Sequence, residues 1–230
     1  MTDVVILVAS EFISAGLAVG LVYIFLKAYR LTRYVYLLGL PLGFSFLTFS
    51  YFSLGASLLY KATSVSSEGF IWLYLVTQTF GFALIAFSYY FSKRTEERAK
   101  HVLEIVSLAS VTSILLILLG LYVAPPYLGL PSSDVAEEGF RIANLFFLVY
   151  VVYTLVRNWQ SSKQPISPLA WAPSAFSIFA VGQYSQLIYE IDGGQYAFFF
   201  AHILRIASLL LLIYVYYASG RIRNERGETY

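Results

Sequence analysis

The chain has 230 residues, 59% of them apolar and 12% charged, with a net charge of +2 and a mean hydropathy of +0.71. Soluble domains run at about 45–50% apolar and about 25% charged, so this composition belongs in a bilayer. It contains no cysteine, which excludes disulfides, thiolate catalysis and Cys-ligated metals together.

A membrane span needs about 20 mostly apolar residues, and the sequence predicts seven of them. The first, 4–26, follows the start MTDVVILVASEF. Asp3 stands where a secretory signal would carry positive charge, so the full-length run reads as a span and no cleaved leader is expected. It contains Glu11 and ends on Lys27, Arg30 and Arg33. The second, 35–60, opens near Pro41, whose missing N–H costs nothing in a first turn. The third, 70–92, holds Gln78 and ends in SYYFSKR, and the fourth, 102–124, follows the basic run KRTEERAK. The fifth, 139–157, begins beside Glu138. The sixth, 167–190, opens at Pro168 and sets Gln183, Gln186 and Glu190 at i, i+3 and i+7, one helical stripe. The seventh, 196–218, carries His202 and Arg205 and runs into the tail RIRNERGETY. The longest connections, 93–101 and 125–138, hold no soluble catalytic, kinase or DNA-binding domain.

The basic residues orient these spans. With the N-terminus outside, Lys27, Arg30, Arg33, Lys93, Arg94, Arg98, Lys100, Arg157, Lys163, Arg221, Arg223 and Arg226 all fall on the cytoplasmic side. Lys61 and Arg141 stay outside among Asp3, Glu68, Asp134, Glu137, Glu138, Glu190 and Asp192, the bias expected of an N-out, C-in protein in the cell membrane. The positive charge therefore belongs on anionic headgroups, and no nucleic acid is called for.

Residues 11–94 also align without a gap on 138–221 at an offset of 127, with 16 identities over 84 positions. Leu21, Val22 and Tyr23 recur as Leu148, Val149 and Tyr150, and Arg30 as Arg157. Pro41 recurs as Pro168, and Phe49, Ser50, Phe52 and Gly55 recur as Phe176, Ser177, Phe179 and Gly182. Tyr89, Tyr90, Ser92 and Arg94 recur as Tyr216, Tyr217, Ser219 and Arg221. Equivalent helices are four spans apart, so the copies share one membrane orientation. The predicted fold is all-α and polytopic: a three-helix unit over 1–98, an inverting linker helix over 99–126, and a parallel three-helix unit over 127–230. Such repeats place a substrate site between the units near the midplane.

In this three-plus-one-plus-three architecture the chain resembles the SWEET sugar transporters and, more distantly, microbial rhodopsins. It has no Pro-Gln motif of the SWEET kind. The seventh span, AFFFAHILRIASLLLLIYVYY, has no lysine for a retinal Schiff base, so no retinal pigment is expected. The first unit is similar to a short archaeal three-helix membrane unit, through Lys27, Ala28, Tyr29, Arg30, Thr32 and Arg33, Gly43 and Phe44, and GFALIAFSYY (81–90). That resemblance implies an archaeal source and supplies no mechanism. The second unit departs from it, with Arg157, Asn158, Trp159 and Gln160 where the first has Arg30, Leu31, Thr32 and Arg33.

Function should lie where polarity is expensive. A central intramembrane arginine costs about 2.5–3.5 kcal/mol on insertion scales, so Arg205 calls for a partner, and Glu11 is the candidate counter-ion. His202 shares a helical face with Arg205, and the alignment sets Arg205 on Gln78, which would let the two approach across a pseudo-twofold axis. Arg205, His202, Glu11, Gln78, Gln183 and Gln186 are the candidate substrate-binding residues, with Glu11 or His202 able to couple protons. The same Glu11–Arg205 pair equally well describes a structural lock between two helices. No Gly-rich phosphate loop, metal-spaced cluster or catalytic set is recognisable, so neither enzyme activity, metal nor cofactor is expected. The sequence supports a carrier for a small polar or anionic solute. Two alternatives stay open: an accessory or scaffold subunit of a membrane complex or homo-oligomer, and a ligand-sensing receptor module that needs a partner for output.

Overall fold

The structure, a computed structural model, describes residues 2–62, 68–92, 133–161 and 168–225, with single positions at 105 and 112. These residues form six α-helices and no strand: α1 (Thr2–Thr32), α2 (Gly39–Ala62), α3 (Glu68–Phe91), α4 (Ser133–Ser161), α5 (Ala172–Asp192) and α6 (Gln195–Glu225). Five of them, α1, α2, α3, α4 and α6, are long and apolar enough to cross a membrane. The protein is an all-α, multi-pass membrane protein.

The predicted fourth span, 102–124, and most of the linker lie outside the described residues, which hold six helices. One sequence expectation changes. The predicted sixth span is a helix, displaced to Ala172–Asp192, yet it falls outside the five apolar enough to span. Its buried face carries Gln183, Ser185 and Gln186, which lower its apolar content because they face protein and not lipid.

Helix ends follow local chemistry. Arg33 adopts φ 58°, the left-handed conformation that stops a helix, and its N–H donates to the Tyr29 carbonyl at 2.7 Å. Gly193, at φ 67°, ends α5 in the same way through Tyr189. A 3₁₀ turn precedes the second helix of each half, Val35–Leu38 before α2 and Pro168–Trp171 before α5. Pro41 does sit in the first turn of α2. Pro168 opens the 3₁₀ turn, and the first turn of α5 contains Pro173 instead.

In sequence order each helix packs on the next, and α6 returns to α1, which closes a ring. Lipid tails are as apolar as leucine, so helix association in a bilayer depends on close packing and interhelical hydrogen bonds. Both are present. A Cβ on Gly43 would lie 2.8 Å from the Gly81 carbonyl, and one on Gly81 would lie 2.9 Å from the Gly43 carbonyl, so α2 and α3 cross with their backbones nearly touching. Ser50 donates to the Tyr74 carbonyl across the same pair, and Ser208 donates to Ala175 between α6 and α5.

The two halves of the bundle differ. Toward the C-terminal ends of α1, α3 and α6 the interior is aromatic. Phe25 stacks on Phe44 at 5.4 Å and meets Tyr216 edge-on at 4.6 Å, while Tyr89 meets Phe176 at 6.0 Å. Lys27, Arg30, Arg33 and Arg157 are exposed at this end. Toward the N-terminal ends of α1, α3, α4 and α6 the interior is polar.

Candidate functional site

Arg205 is the eleventh residue of α6 and Glu11 the tenth of α1, so at about 1.5 Å per residue both sit roughly 15 Å from the same end of the bundle. They meet there. Nη2 of Arg205 donates to Oε1 of Glu11, with Glu11 fully buried and Arg205 2% exposed. The guanidinium carbon lies 4.5 Å over the Tyr51 ring on α2, a cation–π contact that gains strength when desolvated. His202, one turn earlier on α6, brings Nε2 to 2.8 Å from the same Glu11 oxygen. Two glycines that the 127-residue alignment equates admit this cluster. A Cβ on Gly55 would lie 3.3 Å from Cβ of Glu11, and one on Gly182 would lie 3.3 Å from the Ala201 carbonyl and 3.7 Å from N of Arg205.

A second buried arginine lies on the α3–α4–α5 side. Arg141 donates through Nη1 to Oε1 of Gln186 at 2.9 Å and to the Tyr74 hydroxyl at 3.3 Å, and through Nη2 to Glu190 at 2.8 Å. Glu137 stands 3.7 Å away, one turn earlier on α4. Gln183 donates to the same Gln186 oxygen at 3.2 Å. The Arg141 guanidinium carbon also lies 5.9 Å from the centre of the Tyr74 ring.

All six sequence candidates are buried. Glu11, His202 and Arg205 form one cluster, and Gln183 and Gln186 join the Arg141 cluster. Gln78 does not meet Arg205: its Oε1 accepts from Asn144 Nδ2 at 3.1 Å on the α3–α4 seam, and no hydrogen bond links it to Arg205. Alignment equates their places in two units. Contact across a twofold axis requires, in addition, that the place lie on the axis.

Four further residues complete the site. Arg141 reads from sequence as an outer-surface topology charge, because it stands three residues into its span beside Glu137 and Glu138. Burial places it inside, and its one-turn spacing from Glu137 was the available signal. Asn144, Tyr51 and Tyr74 gave no signal, being neutral groups among 20 tyrosines and a largely apolar sequence.

Several buried polar atoms around Arg205 have no protein partner: Oε2 of Glu11, the Tyr51 hydroxyl, and Nε and Nη1 of Arg205. On the other side Oε1 of Gln183, Nε of Arg141, Nε2 of Gln78 and Oδ1 of Asn144 are in the same position. A buried polar group without a hydrogen bond costs about 1–3 kcal/mol. Water is the ordinary partner of such buried donors and acceptors. Among the described residues no group of three His, Cys, Asp or Glu side chains could hold a metal.

The chain matches no family model, no curated protein and no solved structure. The functional argument therefore rests on the residues themselves.

Proposed function

We propose that the protein is a carrier for a small polar or anionic solute, bound between two parallel three-helix units in the layer of Glu11 and Arg205. The observation that carries this reading is the incomplete bonding of that layer. Glu11 keeps one oxygen free to accept, while Arg205 keeps Nε and Nη1 free to donate, and Tyr51, whose ring lies against the guanidinium, has an unpaired hydroxyl. A solute with both an acceptor and a donor, such as an amino acid or a hydroxy acid, would meet both needs. The occluded geometry suits one state of alternating access, with the aromatic half forming the closed barrier.

The duplication belongs to this reading. Tyr89 and Tyr216, aligned by the 127-residue offset, share a hydrogen bond at 2.8 Å, as equivalent residues lying on a twofold axis would. Both α3–α4 and α6–α1 are in contact, as a twofold relation between the units would require. Phe91 and Ser133 lie at opposite ends of the bundle, as an inverting fourth span would require. The exposed Lys27, Arg30, Arg33 and Arg157 at the aromatic end support an N-out, C-in orientation.

The test is uptake into proteoliposomes of a labelled amino-acid mixture and a labelled monocarboxylate series. Uptake above empty vesicles, lost in Arg205→Gln, is expected. No uptake of any probe, or uptake unchanged in Arg205→Gln, would overturn the proposal.

A second reading has its own support. Glu11 and Arg205 are buried and paired directly, as a lock between α1 and α6 would be, which suits an accessory or scaffold subunit. Flux absent in protein that is stable only with other chains would select it.

A further inference from the structure

His202 presents both ring nitrogens to oxygen. Nδ1 lies 2.7 Å from the Phe198 carbonyl, and Nε2 lies 2.8 Å from Oε1 of Glu11. A carbonyl oxygen only accepts, so Nδ1 carries a hydrogen. A neutral imidazole has a single N–H, and with that hydrogen on Nδ1 an unprotonated Nε2 would stand 2.8 Å from a carboxylate oxygen. Nε2 is off the line of a regular hydrogen bond to that oxygen, so the contact is one of distance and charge. A carboxylate this close to an electron-rich nitrogen is unfavourable unless a positive charge offsets it.

One proton between them removes the conflict. It makes an imidazolium beside a carboxylate, or a neutral ring beside a carboxylic acid, and the two arrangements have the same atoms and the same total charge. We propose that Glu11 and His202 together bind one exchangeable proton within the membrane, at the level of Arg205. The inference does not depend on the transport reading.

The surroundings define what the proton meets. Glu11 comes from α1 and Arg205 from α6 itself. Tyr51 on α2 lies beneath the guanidinium, and Tyr74 on α3 is in electrostatic range of it. On α5, Tyr189 packs against the Phe198 ring at 4.6 Å, and that ring packs against the imidazole at 4.3 Å. The 3₁₀ turn before α5, Pro-Leu-Ala-Trp, has no titratable group. Arg205 already gives Nη2 to Glu11, and its guanidinium has no site to accept a proton. Release of the proton to water leaves a carboxylate and a neutral ring. Glu11 then stays with Arg205 while Nε2 and Oε1 repel, so the α1–α6 seam loosens at His202.

The full chain in lipid nanodiscs, with ¹⁵N-labelled histidine, tests this. The sequence has two histidines, and His101→Gln assigns the signal of His202. At about pH 8 an ordinary imidazole, with a pKa of about 6.5, is neutral. The expected wild-type result there is either a His202 ring protonated at both nitrogens, or a neutral ring with an infrared band from one protonated carboxyl. Glu11→Gln should remove both signatures and leave the neutral Nδ1–H ring. A wild-type protein with a neutral ring and no protonated carboxyl band would overturn the proposal. So would a doubly protonated ring that persists in Glu11→Gln. The wild-type spectra decide the matter even if the variant fails to fold.

Discussion

The hydroxyl groups of Tyr89 and Tyr216, 127 residues apart in the chain, lie 2.8 Å from each other in the aromatic half of the bundle. Both tyrosines are half-buried, with Tyr216 edge-on to Phe25 and Tyr89 edge-on to Phe176, and each hydroxyl has the other as its hydrogen-bond partner. Tyr89→Phe or Tyr216→Phe alone should destabilise by about 0.5–1.5 kcal/mol, the net worth of the hydrogen bond that is lost. The double Phe variant should cost less than the sum of the two. Denaturation in a single detergent, read as a double-mutant cycle, measures this; additive effects would deny the pairing.

Glu11 and Arg205 should be coupled more strongly. Removing one member of a buried ion pair costs about 3–5 kcal/mol, because an uncompensated charge remains. Glu11→Gln and Arg205→Met should each lower thermal stability steeply, and the combined variant should recover most of the loss. A double variant less stable than both singles would contradict the geometry.

Arg141→Met should be milder. Its departure leaves Gln186 with the Gln183 amide, and Glu190, with its side chain 22% exposed, can reach water. A loss of about 1–3 kcal/mol follows from the broken hydrogen bonds. The order of melting temperatures, wild type above Arg141→Met above Arg205→Met, is the check.

The α2–α3 crossing tolerates no side chain. Gly81→Ala would place Cβ 2.9 Å from the Gly43 carbonyl and 3.0 Å from Leu47, and should cost about 1–3 kcal/mol through overpacking. Gly16, within α1, has nothing within 4 Å of its would-be Cβ. Gly16→Ala should be neutral or stabilise by up to about 1 kcal/mol, the helix-propensity gain. Parallel melts of the two variants in the same detergent measure the difference.

Much of this was legible in residue order because the bilayer makes some choices expensive. A charge as deep as Arg205 must find a partner, and Glu11 was the acidic residue at matching depth, so the pair could be named from the sequence. Gly55 and Gly182 were readable as equivalent small residues of the two halves, and the packing shows that both lie at close approaches between helices. Gln78 and Arg205 were misjudged because equivalence under a repeat was read as proximity. The aligned pair that does meet is Tyr89 with Tyr216. Arg141 was missed because an arginine near a span's end is cheap by position, and its cost appears only when α3 and α5 cover it.

The sequence alone determined that this is a membrane protein with long apolar helices, a basic end and a deep arginine that needs an acidic partner. Those are properties of composition and spacing in a fixed solvent. The tertiary structure decided which side chains share a layer: Arg141 with Gln186, Gln78 with Asn144, and His202 with Glu11. Each of these contacts joins different helices, and it depends on rotation and depth set by packing at glycines and aromatic rings. Linear spacing along one helix does not encode that rotation.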